Sequence, residues 1–183
     1  MRLFQKADLQ ANGLSKWRWF LRFSRPQVHF LRLLRRAEYW STRHGASRII
    51  YMVSRFLLAR RSQQLGISIP PGVFGPGLSL PHYGTIVVND KARFGSYCRL
   101  HCNTNIGEVA GEAPAAGDFV YIAPGAVIYG GIKIGDAAAI GANAVVGADV
   151  PPTVTVAGAP ARVVSPRGAR GAMPSYLVEL MPD

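Results

Sequence analysis

The sequence predicts a mainly β protein, a parallel β-helix of six-residue repeats, with an α-helical region on its N-terminal side. Three observations predict the β-helix: an aliphatic residue recurs at every sixth position, the fifth position of each repeat is apolar and mostly small, and glycine follows the aliphatic residue in the later repeats. The aliphatic positions are Ile122, Ile128, Ile134, Ile140 and Val146, and the fifth positions are Ala126, Ile132, Ala138, Ala144 and Val150.

Each repeat is expected to form a short strand and a turn. Three repeats then close a triangular coil of about 18 residues, stacked on the next coil at about 4.8 Å. Aliphatic residues fill the interior of this prism, and small residues fit where its walls converge. Glycine after the aliphatic residue, as at Gly135 and Gly141, relieves the corner. The rest of the chain must dock on the prism, cap it or use its outer surface.

Residues 1–65 are predicted to form a helical N-terminal domain. Apolar residues recur at helical spacing over 28–39 and over 47–64, and Pro26 is placed to begin the first of these helices. Segment 14–23 is dense in aromatic residues and arginine, and we expect it to be helical as well.

The basic charge of the chain belongs to this helical domain. The whole chain has a net charge of +11, and residues 1–61 hold 14 Lys or Arg against Asp8 and Glu38, which is +12. We favour a solvated basic face on a cap that packs against the prism or another subunit. Arginine, tryptophan and scarce acid would also suit peripheral contact with an anionic bilayer, at the inner membrane. Nucleic acid binding ranks below both, because no groove-reading motif accompanies the charge.

Residues 66–164 are predicted to form the β-helix domain, with imperfect first coils. The repeat count breaks once, because ten residues instead of six separate Ile106 from Ala116. Segment 107–115 is therefore predicted to extrude as a loop, where specificity commonly resides on a rigid scaffold. Residues 165–183 are rich in glycine, proline and arginine and are predicted to be a mobile tail.

We expect a cytoplasmic protein. No apolar run approaches the roughly 18 residues of a membrane span, and the first residues lack a secretory pattern. The repeat phase points Cys98 inward and Cys102 outward, so a disulfide between them is not expected. Two cysteines at this spacing, without another pair, are also a poor zinc signal.

Three segments resemble the hexapeptide-repeat acyltransferases, and within them the serine acetyltransferase branch: His82-Tyr-Gly-Thr-Ile-Val-Val, the Gly135 and Gly141 repeats, and Val156-Ala-Gly-Ala-Pro-Ala-Arg-Val. The resemblance covers residues 66–164 and is closest to the serine-acetyltransferase-like proteins of capsule and exopolysaccharide pathways. It implies a left-handed β-helix and a homotrimer, with the pairing of two trimers left open. It also implies an active site in the cleft between neighbouring prisms, which uses acetyl-CoA and no metal.

The resemblance assigns roles to individual residues. His82 stands at the family's general-base position, and imidazole, with an ordinary pKa near 6.5, is suited to remove the hydroxyl proton as oxygen attacks a thioester. His101 is expected on the neighbouring coil near the same edge, where it touches the acceptor or orients His82, or else lines a subunit contact. The candidates for acceptor binding are His101, Asn105 and Glu112, and those for CoA binding are Gly107, Ala123, Ala142, Gly158 and Arg162. Many relatives carry a basic residue where this chain has Ala148, so phosphate binding falls to Arg162 or to Arg167 and Arg170.

Two departures from the serine acetyltransferase pattern bear on the acceptor. Pro81 stands where those enzymes carry an aspartate that orients the base, and Glu112-Ala113-Pro114 stands where they carry Arg-His-Pro. A carboxylate in place of that arginine would repel the carboxylate of serine. The expected acceptor is therefore a hydroxyl of a sugar or polysaccharide precursor, with L-serine, and so cysteine biosynthesis, as the alternative.

Two other functions stay open. A metal enzyme of the γ-carbonic-anhydrase type shares the prism but needs three histidine ligands, and the coil region offers only His82 and His101. A non-enzymatic trimeric scaffold would leave every activity untouched in a His82→Ala variant.

Overall fold

A computed structural model describes residues 1–43 and 47–182. It is a left-handed parallel β-helix with helices packed on its N-terminal coils. The helices are α1 (Arg2–Ala11), α2 (Leu21–Ser24), α3 (Pro26–Ser41), α4 (Ser47–Leu65) and, near the C-terminus, α5 (Ser175–Val178), which follows a 3-10 turn at Gly168–Gly171.

The strands are short, as the six-residue repeat predicts. They are β1 (Ile67–Ser68), β2 (Ile86–Val88), β3 (Arg93–Phe94), β4 (Arg99–Leu100), β5 (Thr104–Gly107), β6 (Ala115–Ala116), β7 (Tyr121–Ile122), β8 (Val127–Tyr129), β9 (Lys133–Ile134), β10 (Ala139–Ile140), β11 (Val145–Val146), β12 (Thr155–Gly158) and β13 (Ala161–Ser165).

Three sheets form the walls of the prism. Wall A has the order β1-β2-β5-β8-β11, wall B has β3-β6-β9, and wall C has β13-β12-β10-β7-β4. Ile86 pairs in parallel with Thr104, 18 residues later, and Val127 pairs with Val145, again 18 residues later. The three-repeat coil predicted from the sequence is therefore confirmed. The chain leaves the prism through the antiparallel pair β12 and β13.

The predicted inward positions form the core. The aliphatic column from Ile122 to Val146 is at most 3% exposed, and the small residues at the fifth positions are equally enclosed. Cys98 is fully buried and Cys102 is only partly so, and both are free thiols, as the repeat phase predicts. Burial raises the pKa of the Cys98 thiol far above its ordinary value.

The helical region packs on the first coils of the prism. Side chains of α3 such as Phe30 and Leu34 share one apolar cluster with Ile67 and Phe74. A buried ion pair fixes the arrangement: Arg35 Nε donates to Asp8 Oδ2 at 2.8 Å, and the same guanidinium donates to the carbonyl oxygen of Phe74. A cap that packs against the prism, the interpretation we favoured, is confirmed.

Helix α1 lies within the predicted helical domain, and it buries Asp8 and Ala11 whereas its apolar residues Leu3 and Phe4 are exposed. One expectation for the helical region differs from the structure. Segment 14–23 is mostly turn and bend, and helix begins only at Leu21. Its aromatic residues lie largely on the surface, so their density reflects exposure rather than a buried helical face.

The C-terminal segment is packed instead of mobile. Met173, Leu177 and Met181 are buried with Ala11 and Phe119 in a second apolar cluster. The segment is also held by its backbone, since the N–H of Ala169 donates to the carbonyl oxygen of Ala137 at 2.7 Å. Three large apolar residues therefore outweigh the flexibility of the glycines and prolines around them.

Candidate active site

The prism has three edges, one between each pair of walls. The His82 edge lies between walls C and A and contains His82, His101, Ala123 and Ala142. The loop edge lies between walls A and B and contains segment 108–114. The tail edge lies between walls B and C, where the C-terminal segment packs.

Strand register aligns the candidate residues of the His82 edge. Along wall C, Ser79 pairs with Arg99, Arg99 with Tyr121, Tyr121 with Ala139, and Ala139 with Thr155. Three residues beyond each of these stand His82, Cys102, Pro124, Ala142 and Gly158. Two residues beyond stand Pro81, His101, Ala123, Gly141 and Ala157. The candidate base and three candidate CoA residues therefore occupy two adjacent columns.

His82 and His101 lie side by side at this edge. Their ring centroids are 6.5 Å apart, with His82 exposed and His101 partly buried. The pKa of His101 is lowered to about 4, mainly by burial and to a smaller extent by the positive charge of Arg99 and the nearby His82. His101 is therefore neutral at pH 7. Its Nε2 is buried and has no hydrogen-bond partner among the described residues.

One contact at this site was missed from the sequence. The ring of Tyr121 meets that of His101 edge-on, with centroids 5.2 Å apart. Tyr121 is in register with Arg99, two residues before His101, and the extruded loop lengthens this coil to 22 residues, so Tyr121 follows His101 by twenty residues. The available signal was the aromatic residue directly before Ile122.

The His82 edge has room for a slender ligand beside the coils. Ala142 and Gly158 are exposed, and a Cβ added at Gly158 would come no closer than 3.5 Å to a neighbour, the carbonyl oxygen of Pro160. Four coil steps of about 4.8 Å separate His82 from Gly158, which makes an open strip of about 19 Å. Its small side chains and accessible backbone fit the extended arm of a CoA thioester.

Arg162 stands at the far end of this strip. It is exposed on β13 opposite Ala157, and it lines an open cavity of about 380 Å³ together with Tyr129, Val145 and Pro160. Its guanidinium is bound only to its neighbour's carbonyl oxygen among the described residues, through a 2.8 Å bond from Nη1 to Ala161. The side chain is exposed, and its remaining donors have no partner among the described residues, so they are available to a phosphate.

Arg167 and Arg170, the other candidates for phosphate binding, belong to the tail edge. They line a cavity of about 610 Å³ with Asp118, Asp136 and Phe119. This cavity lies on a different edge from His82. Arg167 also lines a cavity of about 370 Å³ on wall C with Tyr121 and Gly141, which adjoin the His82 edge. Within one chain, Arg162 and Arg167 are therefore better placed than Arg170 to meet a donor bound beside His82.

The extruded loop is a tight hairpin. Val109 and Glu112 exchange backbone hydrogen bonds of 2.9 and 3.0 Å, and Ala110 and Gly111 form the turn with positive φ angles. The predicted loop is confirmed, although its strand-free part is one residue shorter at each end, because Gly107 and Ala115 belong to β5 and β6. The strands on either side pair 22 residues apart instead of 18, which absorbs the four extra residues.

The remaining acceptor candidates are not beside His82 in the same chain. Glu112 is exposed on the loop edge, where Lys91 binds Glu108 at 2.8 Å. Asn105 is exposed on wall A, and Gly107 ends the same strand, β5. A single chain therefore holds the candidate base and the candidate acceptor residues on separate surfaces. Across residues 1–43 and 47–182, no three His, Cys, Asp or Glu side chains are grouped to hold a metal ion.

The repeat itself matches a known family model. Residues 117–148 match the bacterial transferase hexapeptide model of six repeats. The chain is 34% identical over 120 residues to a serine acetyltransferase of Synechococcus elongatus, covering 62% of this chain and 49% of the relative. It is also 34% identical over 152 residues to a serine acetyltransferase of Mycobacterium tuberculosis, covering 78% of this chain and 62% of the relative.

Solved structures share the whole architecture. A crystal structure of serine acetyltransferase from Brucella abortus superposes with a TM-score of 0.72 at 25% identity, covering 91% of this chain and 69% of the other. A serine acetyltransferase in complex with CoA superposes with a TM-score of 0.68 at 26% identity, covering 88% of this chain and 68% of the other.

These findings define what the chain is similar to: residues 117–148 carry the bacterial transferase hexapeptide repeat. In sequence and fold the chain is similar to serine acetyltransferases. The chain spans about half to three fifths of the length of the sequence relatives described. The predicted likeness to capsule and exopolysaccharide proteins is not among these findings.

Proposed function

We propose that this protein is an acetyl-CoA-dependent O-acetyltransferase with His82 as its general base. The observation that carries the proposal is the alignment of His82 with Ala142 and Gly158 on one open edge of the prism. The serine acetyltransferase relatives support the reaction class, and the relative solved with CoA supports the donor.

The chemistry uses this alignment directly. His82 accepts the proton of the acceptor hydroxyl as its oxygen attacks the carbonyl carbon of the thioester. The C–S bond then breaks, and the proton on His82 is available to the departing thiolate of CoA. His101, neutral at pH 7, lets His82 carry that proton without a second charge beside it. Such a base contributes about 10²–10⁴-fold to the rate.

The donor arm would lie along the small residues of the His82 edge. Ala142 and Gly158 are exposed without bulky side chains, and Arg162 would meet the phosphates from the cavity at the end of the strip. Ala123 is buried and its N–H donates to the carbonyl oxygen of Ile140, so it would contribute only a small side chain. Gly107, on the opposite side of wall A, would contact the donor only from a neighbouring chain.

A homotrimer would complete the site. His82 lies on one edge of a chain, whereas Asn105, Gly107 and Glu112 lie on wall A and the loop edge. A neighbouring prism that presents its loop edge to the His82 edge brings the two sets together, as three-fold packing of triangular prisms permits. Pairing of two such trimers is a further possible level of assembly.

L-Serine is the acceptor that the comparisons favour, because the relatives described are serine acetyltransferases. This was the alternative rather than the main expectation from the sequence. A neutral sugar hydroxyl is the second candidate, and Glu112 is the observation that favours it. An exposed carboxylate repels the carboxylate of serine but accepts hydrogen bonds from sugar hydroxyls. A cytoplasmic location, where free thiols such as Cys102 persist, is proposed with either acceptor.

The test is release of free CoA thiol with a panel of acceptors. The protein is incubated with acetyl-CoA and L-serine, with a nucleotide-linked sugar, or with a lipid-linked sugar. Turnover with serine supports the leading acceptor, and turnover only with a sugar selects the second candidate. Failure of every acceptor, together with failure to bind CoA, would refute an acyltransferase and leave the scaffold hypothesis.

A further inference from the structure

The helical region exposes a large apolar surface that the fold does not use. On α4, Ile49, Met52, Val53 and Phe56 recur at the three- and four-residue spacing of one helix face, and they are 46–69% exposed. The buried residues of α4 are Ser54, Leu58 and Leu65, on the opposite side of the helix. The exposed stripe therefore points away from both α3 and the prism.

A second exposed apolar group adjoins α4. Trp19 is 73% exposed and Phe23 is 70% exposed, and their rings meet edge-on at 6.3 Å. Arg61 of α4 donates to the carbonyl oxygen of Arg22 at 2.6 Å, which ties this segment to the helix. We refer to these two exposed groups together as the front surface; it comprises Trp19, Phe20, Phe23, Ile49, Met52, Val53 and Phe56.

The positive charge around the front surface is not compensated by the acidic residues of the helical region. Asp8 and Glu38 are the only acidic residues among residues 1–61, and both bind Arg35. The other 13 Lys and Arg residues of the 14 in that segment thus have no carboxylate of the helical region to neutralise them. Arg48, Arg55 and Arg60 are exposed along α4 beside the stripe.

The crowding of positive charge around His29 independently indicates that this region would favour an anionic partner. Arg22, Arg32 and Arg61 all act on His29, whose pKa is lowered to about 4 by burial first and by these three charges second. The Nε of Arg61 is buried and unpaired among the described residues. An external anion at this place would relieve the repulsion.

We propose that the front surface docks on an anionic lipid bilayer. Apolar and aromatic side chains enter the headgroup and acyl boundary, while flanking arginines reach the lipid phosphates, which is how interfacial helices bind. A second copy of the chain is a poorer occupant, because it would bring another strongly positive surface against the first. The proposed contact is with the bilayer surface. Among the described residues no helix has the length and hydropathy to cross a bilayer.

The test is sedimentation of the full chain with vesicles of phosphatidylcholine alone or mixed with phosphatidylglycerol. We expect binding only to the mixed vesicles, and loss of binding in about 1 M salt, where the screening length is about 3 Å. Met52→Ser with Phe56→Ser should lower the partition coefficient about tenfold or more. Arg48→Gln with Arg55→Gln should lower it about fivefold per charge, which corresponds to about 1 kcal/mol each.

Matched controls lie outside the front surface. Val164→Ser removes an apolar side chain that is 62% exposed, and Arg170→Gln removes an exposed charge; neither should alter vesicle binding. Failure to sediment with mixed vesicles would overturn the proposal, as would equal binding of the Met52/Phe56 variant. The proposal would also be refuted if that variant, without vesicles, formed a smaller assembly than the wild type in analytical ultracentrifugation. A second copy of the chain would then be what covers the stripe in the wild type. None of these outcomes depends on acetyl transfer.

Discussion

The imidazole rings of His82 and His101 lie 6.5 Å apart on adjacent coils, one exposed and one partly buried. Because burial, with the nearby charges of Arg99 and His82, lowers the pKa of His101 to about 4, His101 is uncharged across the neutral range. His82 therefore lies beside an uncharged imidazole. The two rings lie close together because His82 and His101 stand on adjacent coils at the same edge. Each histidine can be replaced separately to test its role.

Replacing His82 with alanine should abolish most acetyl transfer. We expect kcat/KM to fall about 10²–10⁴-fold, because the variant lacks the group that accepts the hydroxyl proton. CoA binding, measured by calorimetry, should be retained, since His82 stands at one end of the open strip and the donor arm would lie along the small residues beyond it. His29→Gln is the matched control, because His29 stacks near Trp17 in the helical region. Activity within tenfold of the wild type in His82→Ala would contradict the assignment.

The two partly buried histidines should make the fold less stable in mild acid. The folded-state pKa values of His101 and His29 are about 4, below the ordinary value of 6.5. Between these values the unfolded chain binds more protons, so the free energy of unfolding should fall as pH is lowered from 6.5 toward 4. Urea unfolding at several pH values measures this. His101→Gln should flatten the dependence, and an unchanged slope would show that His101 does not stay neutral.

The ion pair between Asp8 and Arg35 should be a large contributor to stability. Asp8 also accepts hydrogen bonds from the backbone N–H groups of Gly77 and Leu78, both at 2.9 Å. Asp8→Ala leaves a buried guanidinium without its main partner, and such losses cost about 3–5 kcal/mol of unfolding free energy. Glu38→Gln, at the more exposed side of Arg35, should cost about 1 kcal/mol or less. Equal losses in the two variants would disprove the special role of Asp8.

The prism could be predicted from the sequence because its buried positions recur at a fixed spacing. Each sixth residue faces the interior, so the strand register and even the four-residue lengthening at the loop follow from counting. Helix α1 was not predictable in this way, because its inward residue is Asp8, whose partner Arg35 is distant in sequence. The contact of Tyr121 with His101 was hidden by the loop, which shifts the coil spacing.

The candidate site was predictable only in part, for a related reason. The number of residues per coil predicts that His82 and His101 lie at one edge. The position of Glu112 away from that edge could not be predicted in this way, because it depends on which wall precedes the loop. Packing of the C-terminal segment depends on isolated residues such as Met173 and Leu177, which have no repeat to reveal them. Periodic contacts can be counted along the chain, whereas single long-range contacts cannot.

Substitutions at two adjacent residues of one strand should have different effects on the free energy of unfolding, because one residue lies in the core and the other on the surface. Ile134 is 3% exposed in β9, and its neighbour Lys133 is exposed. Ile134→Ala should lower the free energy of unfolding by about 2–5 kcal/mol, through lost burial and the cavity left behind. Lys133→Ala should change it by about 0.5 kcal/mol or less. Similar effects of the two changes in urea unfolding would contradict the inward placement of the sixth-residue column.

Reversing the charge at Glu112 should distinguish the two acceptors. In the proposed trimer, Glu112 from a neighbouring loop edge faces the acceptor, and Glu112→Arg would replace a repelling carboxylate with a group that binds carboxylates in a bidentate manner. If serine is the acceptor, its KM should fall about tenfold or more, which corresponds to about 1.4 kcal/mol, with kcat little changed. If a sugar is the acceptor, the same change should raise the KM for the sugar. Glu108→Gln is the control, because Glu108 lies on the same loop edge but its carboxylate pairs with Lys91. A KM unchanged for every acceptor would show that Glu112 does not reach the site.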